Sequence, residues 1–526
     1  MIYRFRLLLA SHGRAITAAF VLVVSTSSIV SAQFPSHAYV PPDHWSTPYL
    51  EHLVRRGVIP DPSPMLRPWR AGDIAEALTA TRPGATKAEA GMIERLRLHF
   101  PAASDSISLW IEANGGIRTS THSRINSDLR DAGEGQTFEQ IGAGGILQSG
   151  PVALAVNHLW DPNFNHDPDY GGREVPIKIR YLQSYATVRS RYLAVDFGRI
   201  RRHWGPIGLP SLIVSSNPYP YDHLYIHAGL DRVGYQMTIS QLDDMLDSNG
   251  EVSRRFWVAH RVSARIGTFL DLGIWESSII SNPGQTLEFW FLNPLAVQFQ
   301  GEDEQIKDTN AIIGGDGELR LPSGFRMAGS IKIDDIQIVD SGSLSDEPPS
   351  YALTGILDWS YQCLTISVAY TQVSNLSYRT HDSSEAYLSD QNLERGRPGV
   401  GLARNFSDYD QLTFRGGILA MAGLLLSPEV TVLRQGEGDL RQPFPPVEDF
   451  PITKTIFQGN VETTLRLAMS GEFVHPSGVH TSFSAGWHHI ADVNHVEGVS
   501  EDRFVGTLNL RYVFNRAWPL RPAGIR

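Results

Sequence analysis

Three arginines and a tryptophan stand within six residues: Arg199, Arg201, Arg202 and Trp204. Guanidinium forks pair bidentately with carboxylates, including those of uronic acids. An indole can stack on the C–H face of a sugar and still offer its N–H to a hydrogen bond. These residue types suit an acidic glycan. They equally suit a structural role in which the arginines pair with carboxylates such as Asp316 and Glu318. Ion-pair networks of that kind are common, so bracing is the simpler of the two readings.

Other groups invite chemistry and do not complete it. His223 and His227, and the set His488, His489, Asp492 and His495, raise the question of a metal. The second spacing matches no known zinc pattern, and on a strand His488 and His489 point to opposite faces. No metal ligands are assigned. Asp243, Asp244, Asp247, Asn249 and Glu251 lack the EF-hand spacing and read as a solvated acidic loop. His480 and Ser482 share one strand face, a possible base and nucleophile. Neither an oxyanion donor nor an orienting third residue can be named for them, so no catalytic residue is assigned.

The elements that must position these residues follow from composition and period. The chain has 526 residues, 42% of them hydrophobic and 19% charged, with one cysteine. That apolar content excludes disorder. Cys363 has no partner, which excludes a disulfide framework. A net charge of −11 excludes a basic body for nucleic acid, so no nucleic-acid partner is expected. Arg4, Arg6 and Arg14, the apolar run Ala15 to Val24, and the small residues Val30, Ser31 and Ala32 make residues 1–32 a cleaved secretory leader. Its apolar run falls short of the ~20 residues of a spanning helix. Its loss removes three arginines and no acid, which takes −11 to −14. No later run suffices for a membrane helix, and the longest, Gly416 to Leu426, is interrupted by Gly423. The exported chain is therefore soluble or crosses a membrane as strands.

Residues 33–103 predict an α-helical head. Thr47 is the expected N-cap, with Pro48 at the first helical position and Leu50, Leu53 and Val54 on one face. Arg55 and Arg56 suit the helix C-terminus, and Gly57 suits its stop. Ile74, Ala77 and Leu78 mark a second helix. Thr86 and Glu89 form a capping box ahead of Ile93, Leu96 and Leu98. Such small helices must dock on something larger.

Over residues 104–526 the period becomes two. Val233, Tyr235, Met237 and Ile239 alternate with Gly234, Gln236 and Thr238. Leu364, Ile366, Val368 and Tyr370 alternate with Thr365, Ser367, Ala369 and Thr371. Phe504, Leu508, Leu510, Tyr512 and Phe514 alternate with Thr507, Asn509 and Arg511. The polar face carries full charges, including Lys178, Arg180, Asp316, Glu318, Arg320, Lys332 and Asp334, which suits a wet lumen. Tyr181 and Tyr185, Trp359 and Tyr361, and Tyr512 and Phe514 are expected in interfacial girdles. The length allows about 16–20 strands. Polar insertions at 121–136, 161–173, 241–250, 340–350, 374–397 and 435–450 read as loops.

Residues 198–226 break this alternation with glycine, proline and clustered arginine. In a barrel such backbone must enter the lumen or cap a mouth. Here the sequence resembles the Wzi family of capsule assembly proteins. A W-G-P element leads into an S-L-I-L-S-x-N run, matched from Trp204 to Asn217 with Val214 for the usual Leu. Asn310, Gly314 and Asp316 match an N-x-x-x-G-x-D strand motif. Asp43-His44-Trp45 and Gly57-Val58-Ile59 also look partly like a surface-layer-homology motif.

The resemblance implies an all-β transmembrane barrel of about 18 antiparallel strands, plugged at its periplasmic end by the helical bundle. It implies a lectin of the bacterial outer membrane, neither an enzyme nor in need of a cofactor. Its partners would be surface polysaccharide, capsule or exopolysaccharide, and membrane lipid, with the chain a monomer. The polysaccharide-binding set is then Arg199, Arg201, Arg202, Trp204, Asn217, Asn310, Asp316, Glu318 and Arg320. The alternative is a pore for small carbohydrates or other solutes.

Overall fold

The computed structural model describes residues 33–102, 107–125, 129–170, 178–230, 232–293, 309–321, 324–335, 348–389 and 399–520. The expected leader lies outside them. Eighteen strands form a closed antiparallel barrel. They are β1 Ser108–Ser120, β2 Gln136–Ser149, β3 Val152–Trp160, β4 Ile179–Arg189, β5 Leu193–Arg199 and β6 Asp222–Gly229. Then come β7 Val233–Gln241, β8 Val252–Ile266, β9 Leu270–Asn282, β10 Thr309–Arg320, β11 Phe325–Asp335 and β12 Ser350–Tyr361. The last are β13 Leu364–Val373, β14 Tyr409–Met421, β15 Leu424–Gln435, β16 Glu462–Val474, β17 Val479–Ala491 and β18 Ser500–Pro519. Pairing of β1 with β18, from Ser108 opposite Pro519 to Ser120 opposite Thr507, closes the ring and leaves no edge.

Links alternate between two to four residues at one end and 8 to 35 at the other. In outer-membrane barrels the short turns face the periplasm. The apolar run at 416–426 is one of these hairpins, β14 turning into β15 at Gly423, whose φ of +102° suits glycine. No helix among the described residues is long and apolar enough to cross a membrane.

The period-two pattern places side chains as expected. Ile274, Met327, Ile331 and Leu357 point outward and are exposed although apolar, which suits lipid rather than water. Arg261, Asp316, Glu318, Arg326, Lys332 and Asp358 point inward and are buried. Trp359 and Tyr361 lie outward beside a short turn, ring centroids 5.9 Å apart. Tyr185 is a correction to the girdle: it points inward, is 5% exposed, and its hydroxyl accepts a bond from the backbone N–H of Tyr39. A bulge in β4 at Leu182, between the pairs Gln183–Asn157 and Tyr181–His158, reverses the alternation, so Tyr181 faces out and Tyr185 faces in.

The head contains α1 Thr47–Arg55, α2 Ala71–Thr79 and α3 Lys87–His99. Its first cap is Ser46, not Thr47, whose hydroxyl donates back to Pro41 O at 3.1 Å. The capping box at α3 forms in both directions. Leu50, Leu53, Ile74, Leu78, Met92, Ile93 and Leu96 make a core that continues onto the barrel's Trp110, Ile146, Tyr185 and Leu419.

The head therefore sits inside the short-turn end. Tyr49 donates to Gly423 O at 3.0 Å, and Asp73 meets Arg189 at 2.8 Å. Arg55, expected to serve the helix dipole, instead reaches the wall at Asp358, 2.8 Å away. From there an ion-pair ladder continues along the wall through Arg326, Glu318, Arg320 and Asp271 to Arg265. Asp196 makes a second seam: it accepts from Tyr39 and Arg202 at 2.7 Å each and lies 3.3 Å from Arg70.

Candidate functional site

Residues 200–221 join β5 to β6 and turn down into the lumen. Gly205 makes the turn with a φ of +138°, a conformation other residues rarely adopt. His203 and Trp204 pair with Arg67 and Leu66 of the head. Trp204 N donates to Val214 O at 2.9 Å, and Ser211 Oγ to Trp204 O at 2.6 Å, so the segment closes on itself. Its far end reaches the ladder, where Arg326 donates to Ile207 O at 3.1 Å.

A second inserted loop, within residues 374–408, packs on the first. Tyr378 and Tyr387 donate to Leu212 O and Ile213 O, at 2.9 and 3.2 Å. Arg255 on the wall binds the carbonyls of Ser384, Ala386 and Leu388. Trp204, Leu212, Ile213, Val214, Tyr378, Tyr387, Leu402 and Phe406 join inward Trp257 and Trp275 in one buried core. The expectation that 198–226 enters the lumen holds for its middle, while its two ends complete strands.

The predicted binding set is not one site. Arg199 is the last residue of β5, faces outward and pairs with Asp222 at 2.9 Å, both well exposed. Arg202 is buried on Asp196, donates to His223 Nε2 at 2.8 Å, and lies 3.6 Å over the Tyr225 ring. Trp204 is 1% exposed and presents no face to a sugar. Asn310 donates to Glu385 O at 3.1 Å and holds the second loop. Asp316 pairs with Arg261 at 2.5 Å, and Glu318 and Arg320 belong to the ladder. Of Arg199, Arg201 and Arg202, then, Arg202 is the one seen to brace the interior, and its partner is Asp196 rather than the Asp316 or Glu318 named from sequence. Arg201 is half-buried, with Nε and Nη2 lacking a hydrogen-bond partner among the described residues. Asn217 donates to Ala403 O at 2.6 Å and borders a cavity.

That half-open cavity, about 310 Å³, lies between the first inserted loop, the head and the inner wall. Its wall consists of three successive cross-strand pairs, Thr371–Gln411, Ala369–Thr413 and Ser367–Arg415. The loop gives Ser211, Ser215, Ser216 and Asn217, the head gives Arg55, and the second loop gives Arg404. His203 also lines it; burial first, then Arg67 and Arg404, push its pKa down to about 3, so it is neutral there. A volume near 300 Å³ is the small end of ligand sites and suits a sugar unit rather than a chain. Hydroxyls, amides and guanidinium groups can bind sugar hydroxyls in several directions, and among the described residues the lining holds no Phe, Tyr or Trp.

Of these residues only Asn217 stood in the predicted binding set. Gln411, Thr413 and Arg415 could have been found from their period-two alternation with Leu412, Phe414 and Gly416. Arg404 lies in irregular backbone and had no such mark. The remaining candidates are structural. His488 faces inward, and His489 faces outward to Asp502 at 2.9 Å. His480 lies against Trp45, and no hydrogen bond joins it to Ser482 among the described residues. No group of three or more metal-ligating side chains occurs among the described residues.

No family model matches the chain, and no curated protein does. Solved structures do. OccK3 and OprD of Pseudomonas aeruginosa align at 9% and 10% identity, each over 78% of this chain and over 96% and 95% of theirs, both with a TM-score of 0.43. Wzi of Escherichia coli, an outer-membrane protein involved in group 1 capsule assembly and a carbohydrate-binding β-barrel, aligns at 16% identity with a TM-score of 0.58. The alignment covers 92% of this chain and 99% of Wzi, so in fold the chain is similar to Wzi over nearly its whole length.

Proposed function

We propose that this protein is an outer-membrane barrel that binds capsular or other surface polysaccharide and helps hold it at the cell surface, without catalysing a reaction. One observation carries the reading. The lumen is stoppered from both ends, by the head and by the inserted loops, and a polar cavity suited to a sugar unit is left between them. The fold likeness to Wzi supports it. In this reading residues 1–32 export the chain, residues 33–103 are the plug, and the barrel stands as a monomer in lipid. Deleting the gene should move polysaccharide from the cell-bound to the released fraction with total synthesis unchanged. An unchanged distribution would count against retention.

The second reading, a pore for small solutes, is favoured by the polar inward face of β17 and β18, where Ser482, Ser484, Asn509 and Arg511 are only half-buried. Planar-bilayer recording separates the two. Retention expects little or no steady current, and a pore expects a large one.

A further inference from the structure

One long-loop segment lies outside the lumen. Residues 283–293 follow β9 and fold against the outer face of the barrel. Alternation along β8 shows the side. Trp257 and Arg261 point inward, to the loop core and to Asp316, so Val258, His260 and Val262 point outward. Cross-strand pairing extends two outward rows: Ile226, Met237, His260 and Glu276, and then Leu224, Ile239, Val258 and Ser278. One row nearer the short turns, Val262 pairs with Ile274 and both are exposed, as lipid-facing residues are. Met237, Ile239, Val258 and Ile280 are buried instead, with Leu287, Trp290, Phe291 and Leu292 packed on them.

The covering segment has two sides. Phe291 is 2% exposed, while Phe289 is 89% exposed and Glu288 beside it is exposed too. At a strand rise of about 3.3 Å and a tilt of about 40°, Val258 stands about 20 Å above Ile266 at the short-turn end of β8. Phe256, paired with Ile280, stands about 5 Å higher. The apolar band of such a barrel is about 25 Å tall, so the segment sits at its upper margin. Backbone bonds suit that depth: Phe291 N donates to Glu288 O at 3.2 Å and Asn293 N to Trp290 O at 3.1 Å. The outward rows also hold polar groups, His260 and Glu276 at 3.5 Å and the buried Ser278. Such groups are costly against acyl chains, so this stretch of wall gains from a protein cover.

We propose that Leu287–Leu292 is an interfacial wedge. Phe291 seats it on the wall, Phe289 enters the acyl chains of the outer leaflet, and Glu288 stays at headgroup level. The partner is the lipid surface, because Phe289 extends the exposed apolar belt of Val262 and Ile274 and an amphipathic segment at this depth lies in the interface. The inference rests on neither functional reading. It makes one long loop a lipid contact, while 200–221 and 374–408 fill the lumen.

The test uses the full mature chain with Cys363→Ser, in vesicles of phosphatidylcholine and phosphatidylglycerol. Phe289→Cys, Glu288→Cys and Asn249→Cys are each labelled with an NBD fluorophore. All three positions are exposed, so the barrel is expected to fold. Asn249, in the loop after β7, is the aqueous reference. A spin label on the acyl chain should quench the fluorophore at 289 at least about twofold more than the one at 249, and a headgroup spin label should reach 288 better than an acyl-chain label does. Quenching at 289 by aqueous iodide as at 249, with none by spin-labelled lipid, overturns the proposal. An acyl-chain label that reaches 288 better than 289 overturns it too. So does a fluorophore at 289 that neither quencher reaches and that transfers energy between copies, since the face then belongs to a second copy of the chain.

Discussion

The lumen's two stoppers differ in how much charge fastens them. The head enters from the short-turn end, shares an apolar core with the wall and adds ion pairs to it: Arg55 on Asp358, Arg70 on Asp196, Asp73 on Arg189. The inserted loops enter from the other end and are fastened by a buried aromatic core, with Trp204, Trp257, Tyr378 and Tyr387 among its members. Charged seams carry a desolvation cost that offsets much of their attraction, so they fix position more than they add stability. An apolar core gains from every group removed from water. The head's charged seams are therefore the part of its fastening that conditions can loosen.

Trp204→Ala should give the largest effect. A buried tryptophan truncated to alanine costs about 3–5 kcal/mol. The loss should be local: amide exchange rises in 200–221 and 374–389, while α1 keeps its protection. Bilayer current should also rise, because the loops fill the lumen. Equal loosening of head and loops would show that the two stoppers form one cooperative unit.

Asp358→Asn attacks the other side of the comparison. It strips Arg55 of its charged wall partner and leaves it Ser367, while Arg326 keeps Glu318. The expected cost is about 2–3 kcal/mol. Exchange should rise in α1 and leave 200–221 nearly unchanged. Protection that moved in the loops instead would reverse the assignment of the ladder to the head.

Acid should separate the stoppers further. Burial first, and then His480, hold His99 down to about 3, and burial keeps His44 well below its ordinary 6.5. Between pH 6.5 and 3 the unfolded head takes up these protons and the folded head does not, so its stability falls as pH falls. Glu89 acts lower. Burial alone would raise its carboxyl, but bonds from His52, the Thr86 backbone and Arg56 outweigh that and hold it at about 2. Its contribution is complete above about 4.5 and fades towards 2. Proteolysis of the head should quicken on acidification from pH 7 to 5. His99→Phe should blunt that response, and Glu89→Gln should cost about 1–2 kcal/mol at pH 7 yet leave the response between pH 6.5 and 5 intact. A head equally resistant at pH 7 and pH 5 would contradict the neutral histidine seam.

The same contrast marks what could be read from the sequence. The strands were legible because lipid outside and polar groups inside impose period two on each. The third helix was legible because its capping box is a local bond between Thr86 and Glu89. The W-G-P segment was legible as irregular and therefore lumenal. Its packing was not, since what buries Trp204 comes from residues 66, 257 and 402, far away in the chain. The cavity was hidden for the same reason. Arg55 read as a helix-dipole residue, and only the assembled barrel puts it beside Asn217 and Arg404.

The smallest effect belongs to Arg199, and it sharpens the comparison most cheaply. Arg199 and Arg202 stand three residues apart and meet opposite fates. Alternation along β5 sends Asp196 inward and Arg199 outward. The chain then leaves the sheet at Ile200, which is buried, and carries Arg202 back to Asp196. The two ion pairs look alike in distance, 2.9 Å for Arg199–Asp222 and 2.7 Å for Arg202–Asp196, but only the second is dry. An exposed pair is worth less than about 1 kcal/mol because water screens it. Arg199→Gln should thus leave head protection, loop protection and glycan retention within error of the parent. Arg202→Gln should leave Asp196 with only Arg70 and Tyr39 of the three groups in its seam and raise exchange where Tyr39 and Arg70 meet the wall. If instead Arg199→Gln weakens retention while Arg202→Gln does not, the glycan contacts the outer rim and not the lumen.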